Sequence, residues 1–314
     1  GTMQVEFRYL SKVTGNRKFA EKAVKIIDLL EEAAQEHLRV GDHATFHGLF
    51  PLFIRNQQAK ISFRDSKLSL GAMGDSFYEY LLKVWLQGGK TEPKYRHMYD
   101  RSMDGMHKLL VHQSKYSRVT FLADMGSDGT LDRKMDHLAC FMGGNLALGA
   151  YTHPDGIESE SAQRDLRVGK ALAYTCYQMY ARTKTGIAPE FVRFMGNDNQ
   201  DMVKAPNAPF YLLRPETVET MFVLFQLTGD EVYREWGWEI FTSIEQYCRT
   251  DIAYASIDDV GSNQPRQDDR MESFFLAETL KYLYLLMDPE TEVDILKKHV
   301  FNTEAHPLRM LHKV

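Results

Sequence analysis

Little in this chain marks a familiar cofactor or nucleophile. Its 314 residues include three cysteines, Cys140, Cys176 and Cys248, and none has CxxC spacing. A structural zinc site therefore has no support. GxSxG, the P-loop, GxGxxG with a following strand, and HExxH are all missing. Nucleophilic, nucleotide-dependent and zinc-hydrolase chemistry lose their usual signatures with them. No apolar run approaches a membrane span. The formal net charge is only -5, which gives no reason to expect nucleic acid or an anionic membrane as partner. No leader peptide is visible, and Gly1-Thr2-Met3 already reads as the start of a helix. The expectation is a piece of a longer protein. That parent could carry a membrane anchor, although no membrane contact is expected from this segment.

What is present is ordinary for a globular chain: 44% hydrophobic and 26% charged residues, with generous aromatics at 12%. The length allows one large domain or two. No low-complexity linker divides it, so a single domain over 1–314 is expected. The helical period dominates. Phe19-Ala20, Ala23-Val24, Ile26-Ile27 and Leu30 form an amphipathic stripe. Phe77-Tyr78, Leu81-Leu82 and Trp85 form a second, and Val218, Met221-Phe222 and Phe225 a third. A fourth runs from Phe274-Phe275 through Leu280 and Leu283-Tyr284 to Leu286. Strand-like alternation is short and rare, as in Val119-Thr120-Phe121-Leu122.

A weak internal repeat points to helical hairpins in series. Val13-Thr14-Gly15-Asn16 before Phe19 matches Leu227-Thr228-Gly229-Asp230 before Tyr233. Glycine supplies the left-handed end of one helix, and Asn or Asp the cap of the next. Gly88-Gly89-Lys90-Thr91 before Tyr95 is a looser third copy. Such hairpins close into a toroid or stack as a solenoid. Long irregular stretches at 112–134, 153–160, 186–209 and 250–270 interrupt them, and connections of that length are often functional. The three cysteines are compatible with three buried thiols or with one disulfide and one free thiol.

Several carboxylates stand at helix starts or on apolar faces. In Leu213-Arg214-Pro215-Glu216-Thr217-Val218-Glu219, Pro215 suits the first helical position, with Glu216 and Glu219 on one side of the first turn. They read as paired catalytic groups or as two solvated carboxylates on the helix dipole. In Gly74-Asp75-Ser76-Phe77, Asp75 or Ser76 reads as a cap, or Asp75 as a carboxylate at a cavity rim. Glu278 sits amid Phe274, Phe275, Leu276 and Leu280, where a carboxylate is paired, metal-linked or functional. His137 is a lone histidine, from chemistry alone a satisfied core or loop residue. Near the end, Val300-Phe301-Asn302-Thr303-Glu304-Ala305-His306-Pro307 predicts an irregular or extended tail, since Pro307 disfavours helix at His306. A threonine hydroxyl, carbonyls and carboxylates there are oxygen ligands of the kind calcium takes, or an ordinary capped loop.

Taken in order, these segments resemble the class I α-1,2-mannosidases, glycoside hydrolase family 47. The matching stretches are Gly74 to Lys83, His137-Leu138 with Cys140-Phe141, Leu213 to Glu216, Glu272 to Leu283, and Phe301 to Pro307. The resemblance implies an all-α fold, the (αα)7 barrel of paired helices, incomplete at its N-terminus. It implies calcium-dependent, inverting removal of α-1,2-linked mannose from high-mannose N-glycans in the secretory pathway. Glu216 would be the general base and Asp75 a second catalytic carboxylate. Thr303 would hold the calcium directly. Glu190, Glu219, Glu278 and Glu304 would surround the ion and the sugar, mostly through water. Phe274 would pack on the mannose ring, with Arg214 and His137 lining the pocket. Cys140 and Cys176, the latter in Tyr174-Thr175-Cys176-Tyr177, match the family's disulfide. That implies an oxidising compartment and leaves Cys248 free.

Two departures accompany the match. The family's usual general-acid glutamate lies in a segment absent here, so no residue takes that role by match. Position 73 is Met, where members of endoplasmic-reticulum type carry arginine, so the resemblance leans toward the Golgi type. The alternatives are a lectin-like quality-control factor on the same fold and a non-catalytic helical scaffold. The matched cysteine pair favours the hydrolase over the former.

Overall fold

A computed structural model describes residues 2–40, 46–57, 60–63, 67–195 and 201–311. Gly1 and positions 196–200 of the long stretch at 186–209 are among those outside the described residues. In chain order the α-helices are α1 (Gln4–Thr14), α2 (Lys18–Val40), α3 (Asp75–Gln87), α4 (Pro93–Leu109), α5 (Phe141–Tyr151), α6 (Glu160–Ala181), α7 (Glu216–Thr228), α8 (Val232–Tyr247) and α9 (Leu280–Met287). Contacts divide the chain into two units that interleave in sequence. One comprises Gly1–Val111, Ala123–Asp132 and Lys297–Val314, and the other His112–Leu122 and Arg133–Leu296.

In the first unit α1 packs on α2 and α3, and α3 on α4. The hinge between α1 and α2 follows the sequence repeat. Thr14 Oγ1 donates back to the Leu10 carbonyl at 2.7 Å, Gly15 turns left-handed at φ 70°, and Asn16 Oδ1 accepts the Lys18 N–H at 3.2 Å. The hinge between α7 and α8, in the second unit, repeats this atom for atom. Thr228 Oγ1 donates to the Leu224 carbonyl at 2.7 Å, Gly229 has φ 67°, and Asp230 Oδ1 accepts the Val232 N–H at 3.2 Å. The looser copy after α3 differs. Gly89 and Lys90 are both left-handed, at φ 64° and 62°, and α4 opens on Pro93 without an Asn or Asp cap.

α2 buries the predicted stripe at Ala23, Ile27 and Leu30. α3 goes further than its stripe, since every residue from Tyr78 to Gln87 is buried. The two charged members survive there because they pair: Lys83 Nζ donates to Glu79 one turn away. The C-terminal segment is extended on both sides of an irregular turn and forms a hairpin. His299–Phe301 pairs antiparallel with Pro307–Arg309, and Phe301 faces Pro307 across the turn. Proline is tolerated there because it is the first residue of its strand.

In the second unit α5 packs between α6 and α7. Its residues Phe141 to Ala150 are all buried. Two glycines allow the close approach to α6: a Cβ on Gly169 would lie 2.7 Å from the Gly143 carbonyl oxygen. Thr220 of α7 fits against Gly144 and ties the layers, donating to the Cys140 carbonyl at 2.6 Å and accepting the Gly144 N–H at 2.8 Å. Cys140 is bonded to Cys176 with a Cα–Cα distance of 5.9 Å, while Cys248 is free and buried. Burial pushes the Cys248 thiol up to about 12, so it stays an inert thiol.

The long irregular stretches contain short strands that helical periodicity did not foretell. Lys134–Asp136, Phe191–Phe194 and Met202–Lys204 form a three-stranded antiparallel sheet, and Ser256–Ile257 pairs with Gln267–Asp268. Lys134–Asp136 precedes α5, the other two strands of that sheet lie between α6 and α7, and the second pair lies between α8 and α9. Among the described residues, no helix is long and apolar enough to cross a membrane. The disulfide closes a loop with a sequence separation of 36. Replacing both partners by serine is expected to cost roughly 2–5 kcal/mol, read as a lower denaturant midpoint. A midpoint unchanged from the oxidised protein would show the bond to be dispensable.

Candidate active site

The second unit gathers most of the expected residues around the start of α7. Pro215 stands at the capping position and Glu216 is the first helical residue, one position later than the sequence suggested. Upstream, Leu213 is fully buried with φ 63°, a left-handed conformation costly for a branched side chain. It is held there by Thr279, whose hydroxyl donates to the Leu213 carbonyl at 2.6 Å. Tyr211 also donates to the Arg214 carbonyl at 3.2 Å. The turn that presents Arg214 and Glu216 is thus over-determined by its surroundings.

His137 enters from the 3-10 turn His137–Cys140, which the disulfide ties to α6. Its Nδ1 lies 2.6 Å from Glu216 Oε2. An ionised carboxylate only accepts, so the proton in that bond sits on Nδ1. Its Nε2 meets the Tyr180 hydroxyl at 2.7 Å and the Thr217 hydroxyl at 3.1 Å. Tyr180 is one turn beyond Cys176 on α6, so the disulfide sets the register of this contact as well. Its ring meets that of Tyr211 edge to face at 6.2 Å. The main chain of His137 donates to the Glu190 carbonyl at 2.9 Å.

Arg214 grips Glu190 with both arms of its guanidinium, Nε to Oε2 and Nη2 to Oε1 at 2.6 Å each. Its Nη1 is 4.0 Å from Glu216 Oε1, and its guanidinium carbon lies 5.8 Å from the Phe274 ring centre. Burial by itself would raise the Glu216 carboxyl, but the hydrogen bond and charge of His137 and the charge of Arg214 outweigh it. The net effect holds Glu216 below the usual carboxylate range. Glu219 accepts from Tyr282 at 3.3 Å. Glu278 is buried within a π-helical turn, Phe275–Thr279, that follows directly on Phe274. Such turns are rare and often mark functional positions.

Sequence reasoning named His137, Glu190, Arg214, Glu216 and Phe274. The structure joins them in one connected group. The sequence did not point to Tyr180, Thr217 and Tyr211, whose hydroxyls meet His137 or the Arg214 carbonyl, or to Tyr282, whose hydroxyl meets Glu219. A signal existed only for Tyr180, four residues after a cysteine expected to be bonded beside His137.

The first unit holds Asp75, Thr303 and Glu304. Asp75 opens α3. The capping position is Gly74, and no side chain caps the helix; Asp75 Oδ1 instead accepts the Ser76 N–H at 2.7 Å. Only glycine fits at 74, because a Cβ there would lie 2.3 Å from the Ser69 carbonyl oxygen. Met73, left-handed at φ 70°, is 69% exposed beside it. Thr303 and Glu304 form the tip of the C-terminal hairpin. Asn302 shapes that tip, its Oδ1 accepting the Glu304 and His306 N–H groups at 3.2 and 2.8 Å. Its amide donates to Glu6 Oε1 at 2.9 Å. Tyr80 bridges the same two partners, donating to Glu6 Oε1 at 2.7 Å and accepting the Thr303 N–H at 3.0 Å.

Among the described residues, no group of three or more His, Cys, Asp or Glu side chains could hold a metal ion. A zinc-like cage is therefore not what the tip provides. Calcium makes a different demand, for hydroxyl, carbonyl and water oxygens. The Thr303 hydroxyl makes no hydrogen bond to another described residue, and Glu6 Oε2 is buried without a partner. A hydroxyl with no hydrogen bond among the described residues and, linked to it through Tyr80, an orphaned carboxylate oxygen are oxygens of the kind a hydrated calcium ion takes.

Comparison with known proteins gives the family. The model of glycosyl hydrolase family 47 matches residues 1–310. Mannosyl-oligosaccharide alpha-1,2-mannosidase IA of Drosophila melanogaster is 41% identical over 98% of this chain and 43% of its own length. Mannosyl-oligosaccharide 1,2-alpha-mannosidase IB of Homo sapiens is 40% identical over 99% and 46%. The human endoplasmic reticulum mannosyl-oligosaccharide 1,2-alpha-mannosidase is 41% identical over 98% and 42%. The chain thus spans somewhat under half the length of these relatives. The solved alpha-1,2-mannosidase from Trichoderma reesei superposes with a TM-score of 0.82 at 30% identity, covering 99% of this chain and 65% of that one. This chain belongs to glycosyl hydrolase family 47.

Proposed function

We propose that the protein hydrolyses terminal α-1,2-linked mannose from high-mannose N-glycans, with calcium and with inversion at the anomeric carbon, and that 1–314 is part of one catalytic domain of the (αα)7-barrel kind. The observation that carries this reading is Glu216, buried yet held ionised between His137 and Arg214. A general base must be ionised before it can take a proton. Glu216 accepts a proton from water. The water oxygen bonds the anomeric carbon as the glycosidic C–O bond breaks, and the departing sugar oxygen takes a proton from an acid not assigned among these residues. Asp75 is the second carboxylate of the site. Phe274 offers its ring to the mannose, while Arg214, His137, Glu190, Glu219, Glu278 and Glu304 bind hydroxyls or the waters around the ion. Thr303 would hold calcium, which when bound supplies charge and fixes sugar hydroxyls.

The bonded Cys140–Cys176 pair supports the lumen of the secretory pathway as the location. Met73, where the endoplasmic-reticulum type carries arginine, supports the Golgi type within it.

The test is mannose release from α-1,2-mannobiose beside α-1,3- and α-1,6-linked isomers, with calcium and with chelator. Release confined to the α-1,2 isomer and abolished by chelator is the expected result; indifference to linkage would sink the reading. Thr303→Ala should weaken calcium binding by about tenfold or more, seen as a smaller calcium-induced rise in melting temperature. An unchanged calcium titration would place the ion elsewhere.

A further inference from the structure

A groove of about 450 Å³ in the second unit lies outside the group around Glu216. Its floor is set by the bridge between Tyr211 and Ile257, which exchange main-chain hydrogen bonds at 3.0 and 3.1 Å. Side chains alternate along an extended segment. Tyr211 is buried, so its neighbours Phe210 and Leu212 turn the other way, half-buried, and line the groove. The hairpin Ser256–Ile257 with Gln267–Asp268 makes the opposite wall. Its end is closed by Asp258, which accepts the Arg266 main-chain and Nε N–H groups at 2.9 and 2.8 Å.

Two features define what the groove would take. Its lining carries two carboxylates, Asp258 and Asp268, and two guanidinium groups, Arg266 and Arg270. The charges balance, so neither an anion nor a cation is favoured. The exposed Asp268 carboxylate makes no hydrogen bond or ion pair to another described residue, and Arg270 reaches Glu272 only at 3.8 Å. A free carboxylate to accept hydroxyls, a guanidinium to donate to carbonyl-like and hydroxyl oxygens, and an aromatic ring below them suit a neutral polyhydroxylated ring.

Both walls of the groove run on in the chain toward the candidate active site. Leu212 is two residues from Arg214, and Arg270 four residues from Phe274. Chain reach limits those separations to about 7 and 14 Å. We propose that this groove is a second carbohydrate subsite, holding a mannose residue that is not cleaved, on the same oligosaccharide whose terminal mannose is hydrolysed. It rests on the mannosidase reading above and adds a contact through Phe210, Asp268 and Arg270.

The experiment is calorimetric titration of the whole chain with two probes, α-1,2-mannobiose and a free high-mannose N-glycan. Wild type is compared with Asp268→Ala and Phe210→Ala, with thermal midpoints measured alongside. Asp268 is exposed, so its variant carries little folding risk; Phe210→Ala tests the ring. The expected result is Kd for the glycan about tenfold weaker in each variant, with Kd for mannobiose and the Asp268→Ala midpoint unchanged. Equal weakening for both probes, or no change for the glycan, overturns the subsite while leaving the mannosidase reading intact. Failure of wild type to bind mannobiose at all overturns that reading, and the subsite with it.

Discussion

On the proposed mannosidase reading, Glu216→Gln should lower the rate of mannose release by roughly 10²–10⁴-fold, with deoxymannojirimycin still bound about as tightly as by the native protein. The amide keeps the shape of the side chain, and its oxygen can still accept the proton on His137 Nδ1, 2.6 Å away in the native site. It cannot take a proton from water. The loss should therefore fall in kcat and leave ligand binding standing. The check is steady-state hydrolysis of α-1,2-mannobiose with the inhibitor's Kd measured in parallel. Undiminished hydrolysis would remove Glu216 from the base role, and loss of inhibitor binding would show that the amide disturbs the site itself.

Arg214→Ala should be the most damaging single change to stability at this site, at about 3 kcal/mol. The guanidinium makes two hydrogen bonds to Glu190 at 2.6 Å and lies 4.0 Å from Glu216, with side-chain exposures of only 13–19% among the three. Its removal strands two carboxylates away from water. The pH dependence gives a second readout. Glu216 sits below its ordinary value of 4.5 in the folded protein. A depressed carboxyl contributes stability that is present above its unfolded value and is lost as pH falls through the folded one. Without Arg214 that depression shrinks, so acid unfolding begins at higher pH. Arg214→Lys retains the charge but not the planar fork. It should keep most of the native acid limb while losing part of the stability at neutral pH. Melting temperatures of the three proteins from neutral pH down through the carboxylate range settle the point; superimposable curves for Arg214→Ala and the native chain would mean the arginine does no electrostatic work on Glu216.

Features carried by a few neighbouring residues were legible in the sequence. Thr-Gly-Asn and Thr-Gly-Asp each contain their own hydroxyl, left-handed glycine and cap, so both helix hinges could be read before any contact was known. The start of α7 followed from Pro215 with two carboxylates, displaced by one residue because the proline takes the capping position. Family resemblance added the Cys140–Cys176 pairing, which the structure contains and which the count of three cysteines had left open.

Distance in the chain decided what was not legible. The strand Lys134–Asp136 exists because its partner, Phe191–Phe194, arrives from more than fifty residues away, so no local pattern announces it. The burial of Glu79 with Lys83 breaks the polar-outside rule, and it holds because the two charges meet each other. Gly143 and Gly169 look like weak points of two helices until those helices cross with no room for a side chain.

The site divides in the same way. By itself the sequence determined that the chain is a series of helical hairpins and which residue types stand at their starts, because caps, stripes and turns are local. Tertiary structure alone decided that His137 meets Glu216 across 79 positions and Arg214 meets Glu190 across 24. It alone put Tyr180 behind the histidine and held Leu213 left-handed by a hydroxyl 66 residues away. The chemistry of a buried carboxylate depends on which charges and donors surround it, and those are brought by folding rather than by neighbours in sequence.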